Sequence, residues 1–284
     1  MTTLTPTTTA LTAKPLFRDE SPGSRVSAGG VLRSEWVKLR SLRSNYAVLG
    51  FTAAALIAVG AIFSGFVGGV FSNTEEASQF LNNPAGASLQ GTMIAQLIIG
   101  VLGILAITGE YATGTIRTSL TMVPQRLPVL AAKSVVVAAV TFVTMLVSTF
   151  AVFFLGQAII GTGSVPTASL GDPGVLRAVV GTAGYLTGIA VLGLAIGTLL
   201  RSAAGSISTL VALVFLLPGL GQLLLPATWS TKVLKYLPSN AGEAFTSVHT
   251  SPDLLSPTAG MWVFLAWVVV PLLAAAVVLR RRAT

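Results

Sequence analysis

Histidine, cysteine and clustered carboxylates carry most nucleophilic, metal and proton chemistry, and this chain is poor in all three. His249 is the single histidine and there is no cysteine. No histidine cluster can therefore hold zinc, and there is no thiolate nucleophile, disulfide framework or iron–sulfur ligand set. No Gly-x-x-x-x-Gly-Lys-Ser/Thr phosphate loop occurs, so ATP hydrolysis within the chain has no sequence support and nucleotide energy must come from another polypeptide. A serine protease of the membrane would need its histidine within an apolar run, whereas His249 falls in a polar stretch. The polar groups that do fall within long apolar runs are amides, Gln96, Gln157 and Gln222. Their expected work is hydrogen bonding between helices, at about 0.6 kcal/mol each. No Asp or Glu lies within those runs to act as an intramembrane acid or proton relay. The expected list of catalytic residues is empty, as is that of metal ligands.

One polar connection stands apart. The segment GEYATGTIRTSLTMVPQRLPVLAAK, Gly109 to Lys133, joins two apolar runs, has Glu110 as its lone acid, and carries a Thr-rich stretch before Pro124. A simple turn needs fewer residues. A short helix along the membrane surface is expected here, with Pro124 and Pro128 stopping it and restarting the next span. Such a helix is a feature that a partner protein can grip.

The elements that must position this segment follow from composition. Hydrophobic residues make up 53% of the 284 and charged residues 9%, against roughly 25% charged in ordinary soluble domains. The charges gather between long uncharged runs, so the net charge of +8 reads as membrane topology rather than as a nucleic-acid surface. Six windows meet or approach the roughly 20 apolar residues needed to span a bilayer: Tyr46 to Val70, Leu89 to Thr108, Val129 to Ile160, Leu176 to Leu200, Ala203 to Leu225 and Met261 to Leu279. The third is long enough for a tilted helix plus an extension, with Lys133 expected to snorkel to the headgroups. The fourth and fifth are separated only by Arg201 and Ser202. They form a tight hairpin, or one of them does not cross.

Basic residues orient the bundle. Six spans with the N-terminus inside place Lys14, Arg18, Arg25, Arg33, Lys38, Arg40, Arg43, Arg117, Arg126, Lys133, Arg201 and Arg280 to Arg282 in the cytoplasm, and leave outside only Arg177, Lys232 and Lys235. Both termini are expected to be cytoplasmic, in the inner membrane. Residues 1–28, rich in Thr, Ser and Pro and without apolar periodicity, are expected to be a disordered cytoplasmic tail. Residues 29–45 form an amphipathic helix suited to the lipid interface, with Leu32, Trp36 and Leu39 on its apolar sector and Lys38 and Arg40 supplying charge for an anionic leaflet. Glu35 and Arg43 intrude on that sector. Residues 46–284 make up the six-helix membrane domain. The fold class is thus an all-α integral membrane protein. Outside, the stretch from Pro226 to Gly260 holds two candidate short helices, TWSTKVLKYL and SNAGEAFTSV, with Ser239 or Asn240 as cap. Gly184 with Gly188, and Gly193 with Gly197, form two Gly-x-x-x-Gly pairs in the fourth span. Such faces serve packing within the chain at least as well as a dimer.

With these residues in view, the sequence resembles the type-2 ABC exporter permeases, the actinobacterial members in particular. The resemblance rests on RSEWVKLRSLRS before the first span, on GEYATGTIRTSL and VPQRLPVLAAK after the second, and on YLPSNAGEAF before the last. It covers nearly everything from Val31 onward, and Glu110, Gly114 and Thr115 form its Glu-x-x-x-Gly-Thr pattern. It implies a permease that dimerises, as homo- or heterodimer, with a soluble ABC ATPase bound to each copy. ATP and Mg would be bound by that partner and no cofactor by this chain. It further implies that Glu110, Tyr111, Thr113, Gly114, Thr115, Ile116, Arg117 and Leu120 form a cytoplasmic coupling helix seated on the ATPase, and that 29–45 is the connecting helix. Export of a hydrophobic or amphipathic compound is the function expected, with membrane lipid as the other partner and nucleic acid as none. A non-transporting immunity or regulatory protein, or a secondary transporter, are the alternatives.

Overall fold

The computed structural model describes residues 27–41, 43–69, 83–114, 126–163, 165–249 and 254–281. Among these there are helices and connections and no strand. The first helix, α1 (Ala28–Ser41), is capped by Ser27, whose Oγ accepts from the Gly30 N–H at 3.1 Å. It is followed by α2 (Arg43–Val67), a short α3 (Pro84–Ser88), α4 (Thr92–Ala112), α5 (Arg126–Ile160) and α6 (Val175–Leu200). After these come α7 (Ala203–Leu224), α8 (Ala227–Val233), α9 (Pro238–Thr246) and α10 (Pro257–Arg281).

Six of these helices, α2, α4, α5, α6, α7 and α10, are long and apolar enough to cross a membrane, and they coincide with the six windows expected. The protein is an all-α integral membrane protein. The boundaries move modestly: α2 starts at Arg43 rather than Tyr46, and α4 continues to Ala112, so Glu110 belongs to its last turn. Helix α5 has 35 residues, about 52 Å at 1.5 Å per residue, against a hydrocarbon core of about 30 Å. Its surplus length leaves the first turns free to pack against α1.

Helix α6 is the centre of the bundle, buried along almost its whole length and packed on α4, α5, α10 and α9. The expected glycine faces divide. A Cβ on Gly193 would press into the Gly100 carbonyl oxygen and one on Gly197 into Ile107, so this pair is a close-packing face against α4. Across the same crossing a Cβ on Gly103 would run into the Ala190 carbonyl. Gly188 packs instead on Phe264 and Val268 of α10, and Gly184 has no atom of another element within reach of an added Cβ. The small-residue stripe thus serves two internal neighbours rather than one. Between α6 and α7 the tight hairpin is made by two residues: Arg201, held in the left-handed region at φ 55°, ends α6, and Ser202 caps α7 by accepting from the Gly205 N–H. Both helices continue across.

On the far side from α1, sequence reading missed α3. Pro84–Ser88 is too short to show helical periodicity, but Asn83 caps it by accepting from the Gly86 N–H at 2.9 Å. A buried polar knot ties it to two spans: Ser64 Oγ of α2 lies 3.1 Å from Ser88 Oγ, and Gln157 Nε2 of α5 donates to Ser88 Oγ and to the Pro84 carbonyl. Gln157 Oε1 in turn accepts from the Ala168 N–H at 2.8 Å. Gln96 accepts a hydrogen bond from the Tyr185 hydroxyl, joining α4 to α6. Two of the three amides therefore do the interhelical work expected of them, while Gln222 lies at the rim of an outer cavity.

The two short helices expected after Pro226 are present as α8, continued by a 3-10 turn over Leu234–Tyr236, and as α9. The expected cap of α9 is corrected. Pro238 is itself the first helical residue and Leu237 takes the cap position, because proline's fixed φ suits the first turn and its missing N–H costs nothing there. Tyr185, Phe245 and Phe264 cluster with centroids 5.0–6.5 Å apart and hold α9 against α6 and α10.

Candidate functional site: a buried ion cluster beneath the connecting segment

The end of the bundle that carries α1 gathers charges that the sequence scatters widely. Glu35 of α1 is only 3% exposed, and each of its oxygens is taken: Oε1 by Lys38 Nζ at 2.6 Å and Oε2 by Lys133 Nζ at 2.6 Å. Lys133 of α5, also buried, reaches back to Glu110 Oε1 of α4 at 2.8 Å, and Lys38 stands 3.6 Å from the same oxygen. Two carboxylates and two ammonium groups thus knit α1, α4 and α5 into one joint. A buried charge without a partner costs several kcal/mol, so the cluster is self-consistent only as a set. Burial works to lower the Lys38 pKa, but the hydrogen bond and charge of Glu35 and the charge of Glu110 outweigh it, and the net shift is upward. Glu110 Oε2 is the exception, buried without a hydrogen-bond partner.

Two sequence expectations are corrected here. Lys133 does not snorkel to the headgroups; it turns inward, because two carboxylates lie within reach and offer a better site than the interface. Glu35 is not an intrusion on an apolar sector. The face of α1 turned to the protein runs Val31, Glu35, Leu39, with Val31 packed on Val129 and Ala132 of α5. Leu32 and Trp36 are exposed, as is Arg40, and Lys38 is half-buried within the cluster. The apolar sector expected for lipid is therefore split, with Leu32 and Trp36 facing outward and Leu39 packed against the core. Asn45 Nδ2 of α2 donates to the Leu39 carbonyl at 3.2 Å and braces the elbow between α1 and α2.

Of the residues expected to couple to a partner, four are described. Glu110 and Tyr111 lie in the last turn of α4, Thr113 is its C-cap, and Gly114 follows at φ 71°, a left-handed conformation suited to glycine at a helix end. Thr115, Ile116, Arg117 and Leu120 lie outside the described residues, as does the Thr-rich helix expected there. Tyr111 is gripped from another direction: the Arg201 guanidinium sits 5.5 Å from its ring centroid. The exit of α4 is thus held on one side by the ion cluster and on the other by the α6–α7 hairpin.

Beside the cluster, between the α1–α2 elbow and the facing walls of α4 and α5, lies a cavity of about 480 Å³. Its rim carries Lys38, Ser41, Ser44, Asn45, Glu110 and Thr113, and its apolar wall includes Val48, Leu102, Leu105, Ala106, Val136 and Val137. His249, at the other end of the chain's path, is exposed and stands apart from both cluster and cavity.

The arrangement is that of a mechanical joint rather than a reaction centre, and comparison with known families agrees. The family model described as ABC-2 family transporter protein matches residues 31–219. The chain belongs to this family. No curated protein matches it. The match begins at Val31, within α1, and runs through the ion cluster, the connecting segment and the first part of α7. An ABC-2 permease is a membrane-spanning transport subunit and not itself the catalyst of ATP hydrolysis. The six spans and the family together identify a multi-pass membrane permease.

Proposed function

We propose that this permease is the membrane half of an exporter that moves a hydrophobic or amphipathic compound, driven by a separate ATPase that seats on the segment after Glu110. The observation that carries the reading is the ion cluster. Glu110 stands just before that segment and Lys133 soon after it, and both are bonded into one group with Glu35. A displacement of the segment would then reach α4, α5 and α1 together instead of being lost in a slack loop. Apolar spans, and an interior whose polar groups are neutral amides and hydroxyls, suit cargo that partitions into lipid. By the same reading the α1 end is cytoplasmic, residues 29–45 act as the connecting helix, and two copies pair with two ATPases that bind ATP and Mg.

The test is co-purification with the soluble ATPase encoded beside this chain, followed by reconstitution in vesicles. The expected result is a stable complex whose ATPase rate depends on the permease, with Glu110→Gln combined with Arg117→Ala lowering both rate and transport. Wild-type assembly and transport in that double variant would remove the proposed grip. A complex that forms but moves no amphiphile would favour a regulatory role.

A further inference from the structure

The cavity beside the ion cluster has the size of a small-molecule site, and its two ends differ in kind. One wall is aliphatic, with Val48, Leu102, Leu105 and Val136, and Leu105 is exposed within it; the other end presents Glu110 among the hydroxyls and amide of Ser41, Ser44, Asn45 and Thr113. Of the four carboxylate oxygens in the cluster, three are paired with lysines and Glu110 Oε2 has no hydrogen-bond partner. A buried oxygen of this kind carries its full desolvation cost. The terminal torsion of a glutamate is soft, so a small rotation turns this oxygen toward the cavity that Glu110 already lines. What it lacks is a donor, preferably a charged one. An anionic head in the same place would meet the charges of Glu35 and Glu110.

We infer that this cavity binds a single-tailed or lipid-like amphiphile with an ammonium head, the head on Glu110 and the tail along Leu102, Leu105 and Val136. The upward shift of the Lys38 pKa agrees, because it reports a field at this end that favours positive charge. Gly109 supplies a clean handle. It lines the cavity, and an added Cβ there meets no atom within 4 Å. A larger side chain at this position occupies the cavity without disturbing any charge. The inference concerns binding by the permease alone and does not depend on coupling to an ATPase.

The probe is dodecylamine carrying a diazirine at its tail end, cross-linked to the full chain in phosphatidylcholine nanodiscs and mapped by mass spectrometry. Saturable labelling of α4 and α5 is expected, competed by unlabelled dodecylamine and not by dodecanoate or dodecanol. Glu110→Gln should weaken it about tenfold, the loss of a charge-assisted hydrogen bond. Gly109→Leu should abolish it while circular dichroism and elution stay those of the wild type. Competition by phosphatidylethanolamine added to the nanodiscs would assign the site to a membrane lipid; its failure would assign it to a free lipophilic amine, and either result supports the site. Equal competition by dodecanol or dodecanoate, or labelling unchanged in Gly109→Leu, would overturn the inference.

Discussion

Lys133 is the residue on which the charged joint turns, since it alone touches both carboxylates at hydrogen-bonding distance. Lys133→Met strands two buried acids and should cost about 3–5 kcal/mol. Lys38 is more open, and Lys38→Met should cost about 1 kcal/mol or less. Thermal unfolding in detergent checks the order of the two. Removing Glu35 and Lys133 together, as Glu35→Leu with Lys133→Leu, should cost much less than the sum of the single changes, because neither leaves the other unpaired. Simple additivity would mean that their bond contributes nothing. The Lys38 share has a definite pH sign. Its folded-state pKa is raised above 10.5, so its contribution is constant below that value and is lost only as the pH climbs past the raised one. Comparison of wild type with Lys38→Met through alkaline unfolding reads this directly.

At the scale of elements, glycines that look alike in sequence should behave differently. Gly193→Ala forces α4 and α6 apart and should destabilise by about 1–3 kcal/mol, whereas Gly184→Ala meets nothing and should gain up to about 1 kcal/mol from helix propensity. Unfolding midpoints of the two variants decide it. The spans were legible because the bilayer imposes a length and a polarity that hydropathy reads directly. Helix α3 was not, since five residues give no period, and its place depends on Ser64 and Gln157 from distant spans. Glu35 misled for a related reason. A helical projection sees one helix at a time, and the residue that makes this acid belong where it is, Lys133, stands on another element far along the chain. The cap of α9 was misplaced because Ser and Asn are the better cap types, while the first-turn preference of Pro238 is stronger than either.

For the molecule as a whole, the absence of native cysteine makes sidedness straightforward to measure. Single cysteines at Ser27, beside α1, and at Ser169, between α5 and α6, should react with an impermeant maleimide from opposite faces of the membrane. The Ser27 site is expected on the cytoplasmic face, where the basic residues concentrate. Labelling of both from one face would break the six-span topology; the reverse assignment would invert the protein and remove the ATPase from reach of the segment after Glu110.

The fifth span, α7, relaxes from α-helix into a π turn at Ala212–Leu216 before Pro218 and resumes as Leu217–Leu224. A π turn holds one residue more than the α ladder needs, so this span is two pieces set out of phase, each with its own facing. Excising a single residue from Ala212–Leu216 would close the ladder and swing the second piece by about 100° about the axis. Gly221, which now lies against Leu234, would turn away and the outer end of the bundle would lose its fit. The surplus residue therefore acts as a phase setting, and shortening this span by one should disrupt the protein more than replacing any one of its side chains.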